Sequence, residues 1–160
     1  MTLESHMKTS ISALLASLPF ILLCGACSAQ GVTPQLAALS YEEALQAYHH
    51  AGRDETYRCI HQIANEHYEA TATSKSIAIV IDDVLYLKLD GKLIELIQTE
   101  ADEKSARFAS ETTTVQAGYS IIKQFNFSEY RESDDRHVNF WVETPSGMQK
   151  LKTFGNRCGI

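Results

Sequence analysis

The chain has 160 residues and a formal net charge of −6, and this length is enough for one domain after removal of a leader. The acidic balance and the lack of Lys/Arg clusters argue against a nucleic-acid-binding protein. They favour a soluble domain and are compatible with a basic protein partner.

The beginning of the chain has the three parts of a secretory signal sequence: a short basic start, the apolar run 11–23 and a patch of small residues. The apolar run has 13 residues, fewer than the roughly 20 that a permanent transmembrane helix needs. Because Glu4 does not fit a positively charged start, Met7 is the expected initiator. The sequence therefore predicts export, with a signal peptide at 1–26.

Two routes of processing fit the end of this leader. Residues 23–27 resemble the bacterial lipoprotein box, in which Cys27 becomes the lipid-bearing first residue, although Cys24 stands where Leu is usual. Cleavage after Ala29 would instead release a soluble periplasmic protein. We favour lipidation of Cys27, because the short apolar run ends in Gly-Ala-Cys. The expected location is then the periplasm, at the outer membrane, with 27–39 as a flexible tether.

Of the four cysteines, Cys24 and Cys27 belong to the leader and its processing site. Cys59 and Cys158 remain as an even pair in an oxidising compartment, which favours a disulfide between them. A reactive thiol or a metal ligand is the alternative, but neither cysteine has a CxxC partner or a His at ligand spacing. The disulfide would close a loop of about 100 residues and tie the first strand of the domain to the chain end.

The domain itself is predicted at 40–160, and it begins with one amphipathic helix. Ser40 and Glu43 have the spacing of a capping box, and Gly52 supplies the stop signal. The apolar side chains of the helix share one face, which is expected to be a packing face: Tyr41, Ala44, Leu45 and Tyr48.

After residue 56 the apolar period changes to two, which predicts β-strands, although 59–68 also fits a helix. The alternating isoleucines of 77–81 and leucines of 85–89 predict a meander with one Ile/Leu face turned inward. Asp90-Gly91 predicts the next hairpin, and 128–136 is expected to be a polar loop. The fold class is mainly β: one N-terminal helix, then a small antiparallel β-barrel or sandwich of seven to eight strands.

Late in the chain, Val138, Phe140 and Val142 alternate as inward positions, which places Trp141 on the opposite face. An exposed Trp141 would favour a partner surface, whereas cover by the helix would make loops the expected contact. A small-molecule carrier is a further hypothesis if the barrel is open. The many Leu, Ile and Phe residues at inward positions favour a filled interior.

The sequence contains no motif that predicts catalysis. The six histidines show no HxH, HxxH or HExxH spacing, and the adjacent His49 and His50 point to different helix faces. The acidic pairs 82–83 and 134–135 are expected in turns, and neighbouring side chains of a strand would point apart. The sequence has neither a nucleophile elbow nor a glycine-rich phosphate loop. We therefore predict a protein that is not an enzyme and that uses neither a cofactor nor a metal.

A Tyr-x-Cys element stands at 57–59, a hairpin-like stretch follows at 81–87, and Trp141 and Cys158 come in order near the end. In these features 57–158 resembles the lipid-anchored c-type lysozyme inhibitors of Gram-negative bacteria. The resemblance implies a small antiparallel barrel with the late cysteine paired to the first. An extra segment before Trp141 departs from the family spacing.

In that family a Ser-Gly-x-Arg-Tyr stretch is inserted towards the lysozyme cleft. The nearest stretch here is 104–108, which keeps the Arg-aromatic step but lacks the glycine and the doubled serine. The resemblance implies partner contacts from four residues of this stretch: Lys104, Ser105, Arg107 and Phe108.

The predicted function is an exported binding module that inhibits or neutralises a cell-wall-targeting enzyme such as a lysozyme. The acidic segments 99–104 and 128–136 would steer a basic partner towards it. Two alternatives stay open: an immunity protein against a periplasmic toxin, and a structural or assembly lipoprotein of the outer membrane. The partner is expected to be a protein, with membrane contact through the lipid anchor and no nucleic acid.

Overall fold

The computed structural model describes residues 33–128 and 131–159, except for the side chains from 126 to 131. The predicted signal peptide, Met7, Cys27 and the tether up to residue 32 lie outside the described residues. Within the described ranges, no helix has the length and apolar character that a bilayer span requires.

The described chain is mainly β, as predicted, with one short helix near its start. The helix is α1 (Tyr41–His50), and the strands are β1 (Leu36–Ala37), β2 (Arg58–Ile63), β3 (Ser76–Ile81), β4 (Val84–Leu89), β5 (Lys92–Ala101), β6 (Ser105–Ala109), β7 (Thr114–Ser128), β8 (Arg131–Thr144) and β9 (Gly147–Gly159). Of the two predicted states for 59–68, the first half is therefore a strand.

Strands β2 to β9 form a closed antiparallel barrel of eight strands. The order around the barrel is β4-β3-β2-β9-β8-β7-β6-β5, and β5 pairs back onto β4. Strand β1 pairs with the end of β4, at Leu89 and Lys88, beyond the last β3 partner at Leu87. Of the two predicted architectures, barrel and sandwich, the structure is therefore the barrel. The sheet closes on itself, so its main strands have no free edges.

Buried side chains form two clusters, one inside the barrel and one outside it. The outer cluster lies between α1 and the outer face of β3 and β4: Leu39, Ala44, Tyr48, Ile79, Ile81, Val84 and Tyr86. The inner cluster fills most of the barrel: Cys59, Ala78, Val80, Leu85, Leu87, Leu89, Leu96, Ala106, Phe108, Val115, Ala117, Val138, Phe140, Val142 and Cys158.

In strand β3, the residues that point into the barrel are the ones predicted to point outward. Ala78 and Val80 point into the barrel and pair with the inward leucines of β4, whereas Ile79 and Ile81 lie under α1. The prediction of one inward Ile/Leu face is therefore wrong for β3. The physical reason is that α1 covers the outer side of β3, so both faces are buried and alternation cannot identify the inner one.

Helix α1 is fixed at both ends. The Ser40 hydroxyl accepts a hydrogen bond from the Glu43 backbone N–H at 3.1 Å, which is half of the expected capping box. The Glu43 carboxylate does not close the box but accepts from Lys88 Nζ at 2.8 Å. Gly52, with φ of 74°, follows the helix end as expected.

The β3–β4 turn holds α1 and the entry to β2 together. Asp82, with φ of 49°, accepts hydrogen bonds at 2.5 Å from the Tyr48 hydroxyl and the Thr56 hydroxyl, and at 2.8 Å from the Tyr57 backbone N–H. Burial alone would raise the pKa of the Asp82 carboxyl, but these hydrogen bonds outweigh burial and lower it. The predicted turn at 82–83 is confirmed.

The predicted polar loop 128–136 is wrong, because β8 already begins at Arg131. Three charged residues of this segment, Asp134, Asp135 and Arg136, have hydrogen-bond partners within the sheet. Arg136 donates from Nε and Nη2 to the two carboxylate oxygens of Asp134, and Asp135 accepts from the Arg157 backbone N–H at 2.9 Å. Residues 134–135 are thus in a strand and not in a turn.

The Cys59–Cys158 disulfide is confirmed, and it joins two neighbouring strands of the barrel. The two Cα atoms are 4.1 Å apart, and each cysteine is 1% exposed. Strands β2 and β9 also pair directly, with Arg58 opposite Gly159. The covalent bond therefore reinforces the seam where the first and last strands of the barrel meet.

Candidate functional site

The stretch 104–108 begins in the turn between β5 and β6 and continues along β6, and Asp102 organises this turn. Its Oδ1 accepts from the backbone N–H groups of Lys104 and Ser105, each at 2.7 Å, and its Oδ2 accepts from Ser105 Oγ at 2.9 Å. These hydrogen bonds, the one from Lys104 foremost, lower the pKa of the Asp102 carboxyl.

Strand β7 also holds this turn in place, through two hydrogen bonds from Tyr119. The Tyr119 hydroxyl donates to the Asp102 carbonyl oxygen at 2.6 Å, and the Tyr119 backbone N–H donates to the Lys104 carbonyl oxygen at 2.8 Å. Lys104 is exposed and Ser105 is half-buried. The turn is thus a fixed support that presents a lysine to solvent.

Strand alternation separates the other two predicted contact residues. The Arg107 side chain is 47% exposed, and its guanidinium is 4.0 Å from the Glu100 carboxylate, an exposed pair of small energetic worth. Phe108 points into the barrel and is 3% exposed. The Phe108 ring is therefore part of the barrel interior, and of the two side chains only Arg107 lies on the surface where a partner could contact it.

On the outer face, Arg107 belongs to a row that crosses four strands. Cross-strand pairing places Arg107 opposite Gln116, Gln116 opposite Trp141, and Trp141 opposite Lys150. Trp141 is half-buried on the face opposite to its inward neighbours, as predicted. A Cβ atom on Gly118 would come within 3.3 Å of the Trp141 indole ring, so the lack of a side chain at Gly118 leaves room for that ring.

The barrel interior is filled near the β4–β5 hairpin and open at the end that carries the β5–β6 turn. Leu87, Leu89 and Val142 fill the first end. At the other end a cavity of about 300 Å³ remains, walled by small apolar residues that include Ala106 and Ala117. The cavity could not be predicted from the sequence, because the predicted inward face of β3 carried isoleucines, which would fill the interior.

Polar side chains in the cavity lining come from four strands, the loop before β2 and the β3–β4 turn: Tyr57, His61, Asp82, Gln98, Tyr119 and Arg136. His61 is 5% exposed, and its Nδ1 has no hydrogen-bond partner among the described residues. Burial, assisted by the positive charge of Arg136, lowers the pKa of His61 to about 3. The imidazole is therefore neutral at pH 7, and its edge meets the Phe140 ring.

Arg136 stands at the mouth of this cavity. Its guanidinium binds Asp134 and lies 4.7 Å from the centre of the Tyr119 ring. The sequence did not identify His61 or Arg136 as site residues. The signal was weak: His61 follows Cys59 by two positions, and so shares its inward face, while Arg136 was placed in a loop.

The two predicted acidic segments differ in their surroundings. Glu100, Asp102 and Glu103 are exposed around the β5–β6 turn, whereas Asp134 is 9% exposed and paired. Across the described ranges, no group of three or more His, Cys, Asp or Glu side chains is arranged to hold a metal ion.

These features define a small disulfide-bonded barrel with a rigid turn on its rim, which carries both acidic and basic side chains, and with a cavity beside that turn. Comparison with protein-family models, with curated proteins and with solved structures found no match.

Proposed function

We propose that this domain is a binding module of the bacterial envelope that inhibits a cell-wall-targeting enzyme such as a lysozyme. The observation that carries the proposal is the β5–β6 turn, where Asp102 and Tyr119 fix the backbone that presents Lys104. A preorganised turn loses little conformational entropy on binding, so its contacts contribute more of their energy to affinity.

The chemistry of the turn suits the active-site cleft of a glycan hydrolase. Such enzymes use two carboxyl groups on either side of the scissile bond. A guanidinium forms bidentate hydrogen bonds with a carboxylate, and an ammonium supplies a second positive charge. Arg107 and Lys104 lie three positions apart on one exposed hairpin, and the weak Glu100 contact does not prevent Arg107 from changing partner.

The surroundings support a protein partner of basic character. Trp141 lies in the same cross-strand row as Arg107, and tryptophan and arginine are enriched among residues that dominate binding energies. The net charge of −6 and the exposed acids around the turn would speed the approach of a basic enzyme.

The proposed location follows from the leader. Lipidation of Cys27 would hold the domain at the outer membrane, facing the periplasm, on the tether 27–39. Intact mass of the protein purified from a bacterial host tests this directly. A diacylglycerol-modified Cys27 at the N-terminus supports anchoring, whereas an unmodified chain that begins after Ala29 supports a soluble periplasmic protein.

We expect the processed protein to inhibit a c-type lysozyme, and Arg107→Ala to raise the inhibition constant at least about tenfold, the loss of a contact worth more than 1.4 kcal/mol. The measurement is lysis of a peptidoglycan suspension at increasing inhibitor concentration.

Arg58→Ala is the matched control for this substitution. Arg58 is 55% exposed, close to the 47% of Arg107, and it lies on β2, four strands away around the barrel. It should leave inhibition unchanged. Full lysozyme activity at excess protein, or equal effects of the two substitutions, would contradict the proposal. The immunity hypothesis would then be tested with periplasmic toxins on the same two variants.

A further inference from the structure

We propose that the open end of the barrel is a binding site for a small organic carboxylate with an apolar body, such as a one-ring aromatic acid. The site lies inside the barrel, apart from the exposed turn to which the inhibitor function is assigned, and does not depend on that function. The cavity, the guanidinium at its mouth and the histidine nitrogen at its wall that has no partner among the described residues carry the proposal.

The cavity follows from the residues that face inward at this end. Ala106 on β6 and Ala117 on β7 are direct cross-strand partners, and both side chains point inward. On β3 the inward residue at this end is Val80, and the larger isoleucines of that strand point outward. These small side chains leave about 300 Å³, at the lower end of the range of ligand pockets. This volume suits one ring with a short chain.

The cavity reaches solvent at the end of the barrel. Ala101 in its lining is exposed, and Gln98, Tyr119 and Arg136 are half-buried. Deeper in, Phe108, Val138 and Phe140 form an apolar wall. A ligand would therefore place an apolar body inside and a polar group at the mouth, the arrangement that most small-molecule sites show.

The hydrogen-bond donors at the mouth favour one kind of polar group. Arg136 has five N–H donors; Asp134 engages two of them, and the Tyr57 hydroxyl lies within hydrogen-bonding reach of the guanidinium. The positive charge of Arg136 also acts within the cavity, where it helps to keep His61 neutral. The lining carboxylate, Asp82, is covered by hydrogen bonds from its neighbours. Both carboxylates at the mouth, Asp82 and Asp134, thus already accept hydrogen bonds, and Asp134 offsets the charge of Arg136. The guanidinium still has N–H groups to donate, so a carboxylate at the mouth gains charge-assisted hydrogen bonds that a cation does not.

His61 gives the site a second polar contact. Its Nδ1 is buried and has no hydrogen-bond partner among the described residues, which is unfavourable for a polar atom. A hydroxyl or a bound water carried in with the ligand would satisfy it. The apolar wall, the cation and this unsatisfied nitrogen thus favour an amphipathic acid over a wholly apolar molecule.

The test compares 3-phenylpropionate with 3-phenylpropanamide, which has nearly the same size but no charge, by NMR titration of the processed protein at pH 7. We expect the acid to bind with a dissociation constant at or below about 1 mM, at least tenfold tighter than the amide. The shifted amide signals should belong to residues that line the cavity, Ala101, Ala106 and Ala117 among them. Absence of saturable binding, or equal binding of acid and amide, would overturn the proposal.

Ala106→Leu would fill the cavity and should weaken binding of the acid at least tenfold. Ala109→Leu adds the same group on the outer face of the same strand and should leave binding unchanged. Undiminished binding to a folded Ala106→Leu protein would overturn the proposal. If that variant does not fold, Ala117→Leu takes its place. If neither folds, wild-type shifts confined to the lining residues support the site, and shifts elsewhere overturn it.

Discussion

Removal of the Cys59–Cys158 disulfide is expected to lower the free energy of unfolding by about 2–5 kcal/mol. The cysteines are 99 residues apart, so the bond restricts almost the whole described chain when it is unfolded. The chain-entropy model gives about 4.7 kcal/mol for a loop of this length. In the folded state the bond crosses the seam between β2 and β9, and its loss leaves that seam to backbone pairing alone.

The measurement is urea unfolding of the wild type and of the double variant Cys59→Ala, Cys158→Ala. The double variant avoids the free thiols that a single substitution would leave. Wild-type protein reduced in denaturant should unfold at the same midpoint as the double variant. Because both cysteines are 1% exposed, reductant without denaturant should leave the bond intact. A change of stability below about 1 kcal/mol would contradict this prediction.

A second large effect is expected from His61, which should make the protein less stable in mild acid. The folded state keeps this imidazole neutral, with a pKa of about 3, while the ordinary value near 6.5 applies after unfolding. Between these values the unfolded chain binds a proton that the folded chain does not. Stability is therefore fully present above pH 6.5, and falls by about 1.4 kcal/mol for each pH unit below it.

His61→Leu should remove this dependence, because leucine does not titrate. The measurement is the free energy of unfolding at several values between pH 7 and pH 4.5, and the relevant quantity is the difference between the wild-type and variant slopes. The same change at an exposed histidine, His67→Leu, is the control and should keep the wild-type slope. Parallel curves for the wild type and His61→Leu would contradict the prediction.

Local patterns were sufficient for several elements of the fold. The Ser40 cap, the turn at 82–83 and the outward position of Trp141 depend on neighbours within a few residues, and such neighbours are visible in the sequence. The disulfide was predictable because the expected removal of the leader leaves Cys59 and Cys158 as one pair of cysteines.

Facing and burial could not be predicted where they depend on distant parts of the chain. In β3 the choice between Val80 and Ile81 as inward residue is made by α1, which covers one of two apolar faces. In β8 the charges of Asp134 and Arg136 indicated a solvated loop, because the pairing of this segment with β7 and β9 is a tertiary contact that its own residues do not reveal.

The candidate site was predictable in part for the same reason. The stretch 104–108 was identified by resemblance, and a resemblance of residue types does not say which side chains point outward. Alternation along β6 sends Arg107 to the surface and Phe108 to the core. The cavity was not predictable, since it depends on the inward alanines of two strands and on the true facing of a third.

The cover that α1 provides over β3 also bears on aggregation, because it hides a segment that can self-associate when it is exposed. The strand segment Ser76–Ile81 reads Ser-Ile-Ala-Ile-Val-Ile, with neither a charge nor a proline. Six-residue segments of this kind form self-complementary β-stacks when they are exposed. In the folded protein β2 and β4 occupy both edges of β3, and α1 covers its outer face. Substitutions that loosen α1 should therefore be assessed by aggregation as well as by stability.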